Sequence, residues 1–442
     1  MNLLAARRRR MEAGLLALVA LVVVGAYTLA SLGTASRIPA NIGPFFAGML
    51  CLFVVAHLAV RKLAPHADPF LLPLVVLLNG LGYVFIARLD SKLAGQQLGW
   101  TALGVLAFCV TLGFVRRVRF LERSRYTVGL LGVVLLVLPL IPGVGREING
   151  SRIWVGIGPV RFQPGEFAKI ALAIFFAAYL VEHRELLRTA TFKLGPFRTP
   201  DPKHLAPVLV AWGFAMMVMM FQRDLGSALL FYMLFLGVLW VATERVSYLI
   251  VGLGLFSGGA YLSWMYFSHV QTRVAMWLNP WSDAQGKGFQ IVQSSYALAW
   301  GGVSGSGLGR GIAGRIPYQE TDFIFAIIGE ELGLAGATAV LVAFLLLIGS
   351  GMRSSLRNTD PFAKLLAFGL TLLLGFQAFL IMGGVIRLLP LTGVTLPFVS
   401  YGGSSLLANW TLVALLVRLS DSHPLSRENE GEELTTVLSV KA

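Results

Sequence analysis

Long apolar blocks separated by short polar segments run along most of the 442-residue chain. A run of about 20 apolar residues with few charges can cross roughly 30 Å of hydrocarbon as a helix. The alternating strands that are typical of membrane barrels are absent from the pattern. About twelve blocks have the helical length, at residues 13–32, 42–60, 69–87, 97–115, 126–145, 165–182, 205–222, 226–243, 246–266, 322–349, 362–386 and 397–417. The pattern predicts an all-α, polytopic helical membrane protein.

The composition excludes an ordinary soluble domain. Hydrophobic residues make up 56% of the chain and charged residues 13%, whereas soluble domains carry roughly 25% charged residues. The first block follows a basic run, Arg7–Arg10, without a small-residue cleavage site, and is therefore interpreted as a retained helix rather than a signal peptide. Cys51 and Cys109 both fall in apolar blocks, which predicts packing roles rather than disulfides or metal binding.

The net charge of +14 follows the membrane topology. With the N-terminus in the cytoplasm and the blocks alternating, most Lys and Arg residues fall in inner segments, with five arginines at 116–125 alone. This is the positive-inside pattern, and it predicts that both termini are cytoplasmic. The remaining basic charge suits contact with anionic membrane lipids. No nucleic-acid motif accompanies it, so no nucleic-acid partner is predicted.

Two outer loops contain the longest polar stretches. One covers about 146–164 and is expected to be irregular. The other covers about 267–321, with a short amphipathic helix near Gln290–Trp300 and the glycine-rich run GGVSGSGLGRG at 301–311. Loops of this length are usually functional or disordered. The acid-rich tail, 421–442, is predicted to be a flexible cytoplasmic end.

Ionisable residues in or beside membrane helices are costly, and they are functional candidates for that reason. Five positions qualify: Glu166 with Lys169, Asp224 with Arg223, Asp322, Glu330 with Glu331, and Arg387. Most of them fall at the predicted outer boundary. Charges of both signs on one face suit an anionic lipid substrate that is handled by a carboxylate.

Each candidate also has a purely structural interpretation. Glu166 and Lys169 are spaced i, i+3 and can neutralise each other. Asp322 opens a helix, where Asp is favoured as a cap. Glu330 and Glu331 are expected about 12–13 Å below Asp322 at 1.5 Å per residue, which leaves a polar route into the membrane open. The glycine-rich run lacks the context of a nucleotide-binding loop, and SYGGSS at 400–405 can be a small-residue helix contact.

Four stretches together resemble the SEDS family of membrane peptidoglycan polymerases, which includes FtsW, RodA and SpoVE. They are NGSRIWVGIGPVRFQPGEFAK at 149–169, QRDLGSA at 222–228, PYQETDFIFAIIGEELGLAG at 317–336 and PLTGVTLPFVSYGGSSLLAN at 390–409. The resemblance implies a glycosyltransferase that joins lipid II into glycan strands at the outer face of the bacterial cytoplasmic membrane, for elongation or division. It also implies a class B penicillin-binding protein as partner.

The family core has ten transmembrane helices. The resemblance therefore implies three regions in this chain. Residues 1–68 would form a basic N-terminus with two extra helices, 69–420 would form the SEDS-like core, and 421–442 would form the tail.

The family's essential acid falls on Asp322, which the resemblance implies is catalytic. Its FQPSE-x-x-K motif falls on Glu166 and Lys169, with Gly165 in place of Ser, and its PDLG becomes Arg223–Asp224–Leu225–Gly226. The predicted substrate-binding residues are Glu166, Lys169, Arg152, Arg223, Asp224, Arg273, Ser400, Gly402 and Gly403. Gly314 stands where some members carry a second acid, so no role for a second carboxylate is implied.

This assignment is chemically coherent. A carboxylate within reach of a sugar hydroxyl can accept its proton during attack on an anomeric carbon, and arginines suit the departing pyrophosphate. A divalent cation, Mg²⁺ or Mn²⁺, at the pyrophosphate is compatible with this chemistry, although the sequence shows no metal-ligand motif. Two alternatives remain, a transporter of a lipid-linked precursor and a non-catalytic scaffold for a penicillin-binding protein.

Overall fold

The computed structural model of the protein describes residues 3–35, 42–148, 150–157, 160–188, 192–194, 197–199, 202–312 and 314–421. The α-helices of this part are α1 (Leu3–Ala35), α2 (Ile42–Leu63), α3 (Leu71–Leu89), α4 (Ser91–Phe114), α5 (Arg119–Arg123), α6 (Arg125–Val137), α7 (Gly165–Glu182), α8 (Arg184–Arg188), α9 (Pro202–Gln222), α10 (Leu225–Thr243), α11 (Val246–Tyr266), α12 (Ser268–Leu278), α13 (Phe289–Gly301), α14 (Ile324–Arg357), α15 (Pro361–Val385) and α16 (Gly403–Asp421). Its strands are β1 (Gly145–Ile148), β2 (Ser151–Ile157), β3 (Val160–Phe162), β4 (Phe192–Leu194) and β5 (Phe197–Thr199).

Each predicted apolar block overlaps a helix, but α6 ends at Val137, well before residue 145, and α16 begins at Gly403 rather than at residue 397. Among the described residues, nine helices are long and apolar enough to cross a membrane, namely α1, α2, α3, α4, α10, α11, α14, α15 and α16. The other three blocks coincide with α6, α7 and α9. The protein is an integral membrane protein of helical class, as predicted. The count of twelve crossings and the cytoplasmic termini stay predictions, and the predicted tail beyond Asp421 lies outside the described residues.

The centre of the bundle is formed by α3, α15 and α16. Of their apolar windows, 72%, 72% and 78% is buried, against 6% for α11, which therefore lies at the periphery. Trp410 of α16 is fully buried, and its indole N–H donates to Asn79 Oδ1 of α3 at 3.1 Å. Its ring fills the space that a side chain at Gly104 of α4 would occupy. Gly104 therefore lets α4 and α16 approach closely, as small residues commonly do in membrane bundles.

The loop at 146–164 is not irregular, and that expectation is wrong. It forms a three-stranded antiparallel sheet in the order β1–β2–β3, with Arg146 opposite Trp154 and Gly156 opposite Arg161. Gly150 at φ +78° permits the turn between the first two strands. Strand pairing satisfies backbone groups that have no helical partner at this end of α6.

The loop at 267–321 contains two helices. The predicted amphipathic helix is confirmed as α13, whereas α12 was not predicted. Trp277 of α12 donates its indole N–H to the Arg387 carbonyl at 3.0 Å, and Arg387 Nη2 donates back to the Trp277 carbonyl at 3.2 Å. This reciprocal pair fastens α12 to the residues that follow α15.

The two N-terminal helices pack on the outside of the bundle, α1 mainly against α3 and α2 mainly against α4. Glu12 of α1 is fully buried. It pairs with His57 Nδ1 of α2 at 2.7 Å and also with Arg61. Partnering of this kind is what a buried acid in a membrane helix requires.

Candidate active site

Asp322 lies in the turn that immediately precedes α14. Its backbone N–H donates to the Tyr318 carbonyl at 3.1 Å. The connection between α15 and α16, residues 386–402, holds this turn from the other side, because Ser400 Oγ donates to the Thr321 carbonyl at 2.5 Å. Two segments that are far apart in sequence therefore determine where the Asp322 carboxylate lies.

Arg273 of α12 lies beside that carboxylate. Its Nη1 donates to the carbonyls of Leu391 and Thr392 at 3.1 and 3.0 Å. A Cβ atom on Gly393, where φ is +73°, would lie 3.8 Å from Arg273 Nη2 and 4.0 Å from Asp322 Oδ2. The guanidinium and the carboxylate thus face the same glycine, and an acid and a cation line one space.

The pKa of Asp322 is shifted by this environment. Burial raises the pKa to about 6, while the positive charge of Arg273 and a hydrogen bond from Thr321 lower it, and Glu320 raises it slightly. Burial dominates because the charged carboxylate loses water contacts that its partners replace only in part. A carboxyl group that titrates near neutral pH suits a general base.

His269 of α12 lies near both Arg273 and Arg223. Burial and the positive charges of Arg273 and Arg223 lower the pKa of His269, so the imidazole on α12 lies within electrostatic reach of both arginines. Arg223 is exposed and sits at φ +58° in the break between α9 and α10. Two predicted phosphate-binding arginines therefore both act electrostatically on His269, a residue that the sequence analysis missed.

Asp224 caps the helix that supports this region. Its Oδ1 accepts the backbone N–H of Ser227 at 3.0 Å, as an N-cap residue does. A Cβ atom on Gly226 would overlap the side chain of Val394 and crowd the carbonyl of Thr392. The first turn of α10 therefore packs directly on the segment that binds Arg273. A substrate contact by Asp224 stays a prediction.

Glu166 and Lys169 form a buried ion pair on α7. Glu166 Oε2 lies 2.8 Å from Lys169 Nζ, and the two residues are 4% and 5% exposed. Lys169 Nζ also donates to Gln377 Oε1 at 3.1 Å, and Gln377 Nε2 donates to the Thr395 carbonyl at 2.9 Å. The pair is thereby connected to the α15–α16 connection, two residues from Gly393. Gln377 carries no sequence signal that would have identified it.

Arg152 is the predicted site residue with the weakest connection to Asp322. It lies on β2, is about half exposed and sits 3.7 Å from Glu147 Oε2. Its neighbour Ser151 donates a hydroxyl hydrogen bond to the Arg223 carbonyl at 3.4 Å. The sheet therefore borders Arg223, and a substrate contact by Arg152 stays a prediction.

Ser400, Gly402 and Gly403 have structural contacts. The Leu396 backbone N–H donates to Ser400 Oγ at 2.9 Å. A Cβ atom on Gly403 would overlap the ring of Trp100, so only glycine fits at the start of α16. These contacts shape the connection that holds Asp322, and direct binding of substrate by the three residues stays a prediction.

The expected position of Glu330 and Glu331 below Asp322 is wrong. Glu331 Oε1 pairs with Arg88 Nε at 2.7 Å near the end of α3, whereas Val399, beside Ser400, packs on Gly82, six residues earlier in α3. Six residues correspond to about 9 Å of helix. Asp322 therefore lies farther from the carboxyl end of α3 than Glu331 does. The chain turns at Gly333 (φ 65°, ψ −166°), a conformation accessible to glycine.

Potential metal ligands are sparse around Asp322. In the described ranges, no group of three or more His, Cys, Asp or Glu side chains could hold a metal ion. Mg²⁺ is often bound by one or two carboxylates together with substrate phosphates, so Asp322 would be the protein ligand for such an ion. The cation that the structure places beside this carboxylate is Arg273, whereas Arg223 lies within electrostatic reach of His269 on the same helix as Arg273.

Known proteins resemble this chain over most of its length. The family model for FtsW, RodA and SpoVE, described as a cell cycle protein, matches residues 69–424. The peptidoglycan glycosyltransferase RodA of Mycobacterium tuberculosis is 44% identical over 424 residues, covering 93% of this chain and 90% of that protein.

Solved structures show the same architecture. A chain from a peptidoglycan synthase complex that coordinates polymerization and crosslinking has a TM-score of 0.68 at 29% identity, covering 81% of this chain and 98% of that chain. The rod shape determining protein RodA of Thermus thermophilus has a TM-score of 0.58 at 26% identity with the same coverage.

Proposed function

Because the chain belongs to the FtsW/RodA/SpoVE family, also called SEDS, we propose that it polymerises lipid II with Asp322 as the general base. It is a peptidoglycan glycosyltransferase, like the RodA proteins that it resembles. The observation that carries the assignment of roles is the shared space at Gly393, which both the Asp322 carboxylate and the Arg273 guanidinium face. A proton acceptor and a cation side by side are what this transfer requires.

The proposed step is a displacement at an anomeric carbon. The hydroxyl oxygen of the acceptor sugar forms the new glycosidic bond, and its proton passes to the Asp322 carboxylate. The bond between the anomeric carbon of the donor and its lipid pyrophosphate breaks, and the pyrophosphate leaves with the electron pair. Arg273 and Arg223 stabilise the charge that develops on this leaving group, and arginine's planar fork suits phosphate oxygens. No step is assigned to a metal.

The site is proposed to open to the outer face of the bacterial cytoplasmic membrane. Support comes from the positive-inside distribution of Lys and Arg, which keeps the basic 116–125 segment inside. The proposed partner is a class B penicillin-binding protein that crosslinks the new strand. The resemblance to a chain of a complex that couples polymerization and crosslinking supports this partner.

Reconstitution tests this function. Purified full-length protein in liposomes, supplied with lipid II and the penicillin-binding partner, is expected to produce glycan polymer, which gel electrophoresis of labelled product would detect. Movement of labelled lipid II between leaflets without polymer would instead support a transporter. Partner activity without either result would support a scaffold.

The pH dependence of polymerisation is expected to follow Asp322. Since the pKa of this group is raised to about 6, the carboxyl is protonated below that pH and cannot accept a proton. The value of kcat/KM should therefore fall about tenfold per pH unit below pH ~6 and level off above it. An acid limb near pH ~4, where an ordinary Asp titrates, would contradict the assignment. Initial rates measured across this range check it.

A further inference from the structure

The carboxyl end of α1 lies directly against the glycine-rich loop, residues 301–312. A Cβ atom on Gly33 would overlap the carbonyl of Leu308, and one on Gly309, where φ is +78°, would overlap the carbonyl of Ala30. The Thr34 hydroxyl lies 3.3 Å from the Gly309 carbonyl and 2.9 Å from the Ala30 carbonyl. Backbone meets backbone here, which only glycine on both sides permits.

The same loop is fastened on its other side to α14. The Gly309 backbone N–H donates to Glu331 Oε2 at 2.8 Å, and that of Ile312 donates to Glu330 Oε1 at 3.0 Å. Arg88 Nε lies 2.7 Å from the second oxygen of Glu331. Since both carboxylates accept backbone N–H groups of the loop, the loop cannot move away from α14 without breaking hydrogen bonds to two buried carboxylates, which is costly.

Glu331 and Asp322 stand at opposite ends of one buried stretch of chain. The apolar residues between them, 323–328, are at most 6% exposed. A packed helical turn of this kind transmits a displacement rather than absorbing it, because protein interiors are close-packed. A shift of the loop at Gly309 would therefore reach the Asp322 carboxylate.

We infer that α1 is a positioning element for the polymerase reaction, although it lies outside residues 69–424, which match the family model. It holds the glycine-rich loop against Glu330 and Glu331 and thereby keeps Asp322 in place. This inference rests on the proposed function. Its role is indirect, because the contact that carries the inference is with the loop rather than with Asp322.

Gly33→Leu tests the inference, because the new side chain would push the loop off α1. We expect kcat to fall about tenfold or more, since a misplacement of 1 Å can cost about 10²-fold, while KM for lipid II stays close to wild type. Gly25→Leu is the matched control on the same helix, where a Cβ atom would meet nothing within 4 Å. It should polymerise at the wild-type rate.

A second pair of variants guards against a folding defect. Thr34→Val removes the hydroxyl that reaches Gly309 and should lower kcat about two- to tenfold. Thr34→Ser keeps a hydroxyl at this position and should leave kcat close to the wild-type value. Hydrogen exchange of residues 301–312 should quicken in Gly33→Leu and Thr34→Val but not in Gly25→Leu.

Two results would overturn the role of α1. One is a wild-type kcat in a variant whose residues 301–312 show faster hydrogen exchange. The other is a lowered kcat in a variant whose hydrogen exchange at residues 301–312 is unchanged. Absence of polymer from the wild-type protein would instead refute the proposed function.

Discussion

Asp322→Asn is expected to reduce glycan synthesis about 10²–10⁴-fold while leaving folding and partner binding intact. The amide is nearly isosteric with the carboxylate but cannot accept the proton of the attacking hydroxyl. The loss should appear in kcat rather than in KM, because a general base acts in the transition state. Initial rates in liposomes with lipid II and the partner measure it.

Glu320→Gln is the matched control for this variant. Glu320 is two residues away and raises the pKa of Asp322 only through its charge, so its neutralisation should change the rate little. Normal polymerisation by Asp322→Asn would show that another group accepts the proton. Equal losses in both variants would point to a general electrostatic effect rather than to one base.

Lys169→Met is expected to destabilise the protein by about 3–5 kcal/mol, because it leaves Glu166 buried without its cation. The two groups are 2.8 Å apart and almost fully buried, so water cannot compensate. Thermal unfolding in detergent would reveal the loss. Lys364→Met, at an exposed position of α15, is the control and should change stability by less than about 0.5 kcal/mol.

The double variant Glu166→Gln with Lys169→Met separates structure from substrate binding. Removing both charges together should restore most of the lost stability, since neither partner is left uncompensated. If the double variant is stable and still polymerises, the pair only supports the fold. If it is stable but inactive, the pair contacts substrate or positions Gln377 and Thr395. Unchanged stability in Lys169→Met would show that the two charges do not depend on each other.

The apolar blocks predicted the helices well, because the bilayer thickness imposes a length that is readable without any tertiary contact. Even the short break at Arg223–Asp224 was correctly identified, since charge interrupts an apolar run there. The strands at 145–162 and the helix α12 were missed. Both lie in polar loops, where hydrophobic periodicity, the main sequence signal for secondary structure, is weak.

The sequence predicted only part of the candidate site. Asp322 came from its motif, and sequence physics alone favoured a helix cap there. The pairing of Glu166 with Lys169 followed from their i, i+3 spacing. His269 and Gln377 had no motif or spacing to mark them. The expected depth of Glu331 relative to Asp322 was wrong because the apolar block 322–349 predicted one continuous helix, whereas the chain turns at Gly333.

The sequence by itself determined the helical membrane class and the family, and it predicted Asp322 as the catalytic acid, because these inferences depend on local composition and on ordered motifs. Only the tertiary structure decided what surrounds that acid. Arg273 comes from α12, whereas Gly393 and Ser400 come from the α15–α16 connection, and their meeting beside Asp322 depends on how these two segments pack. The pKa of Asp322 is a property of that packing, since burial and neighbouring charge arise only when distant segments come together.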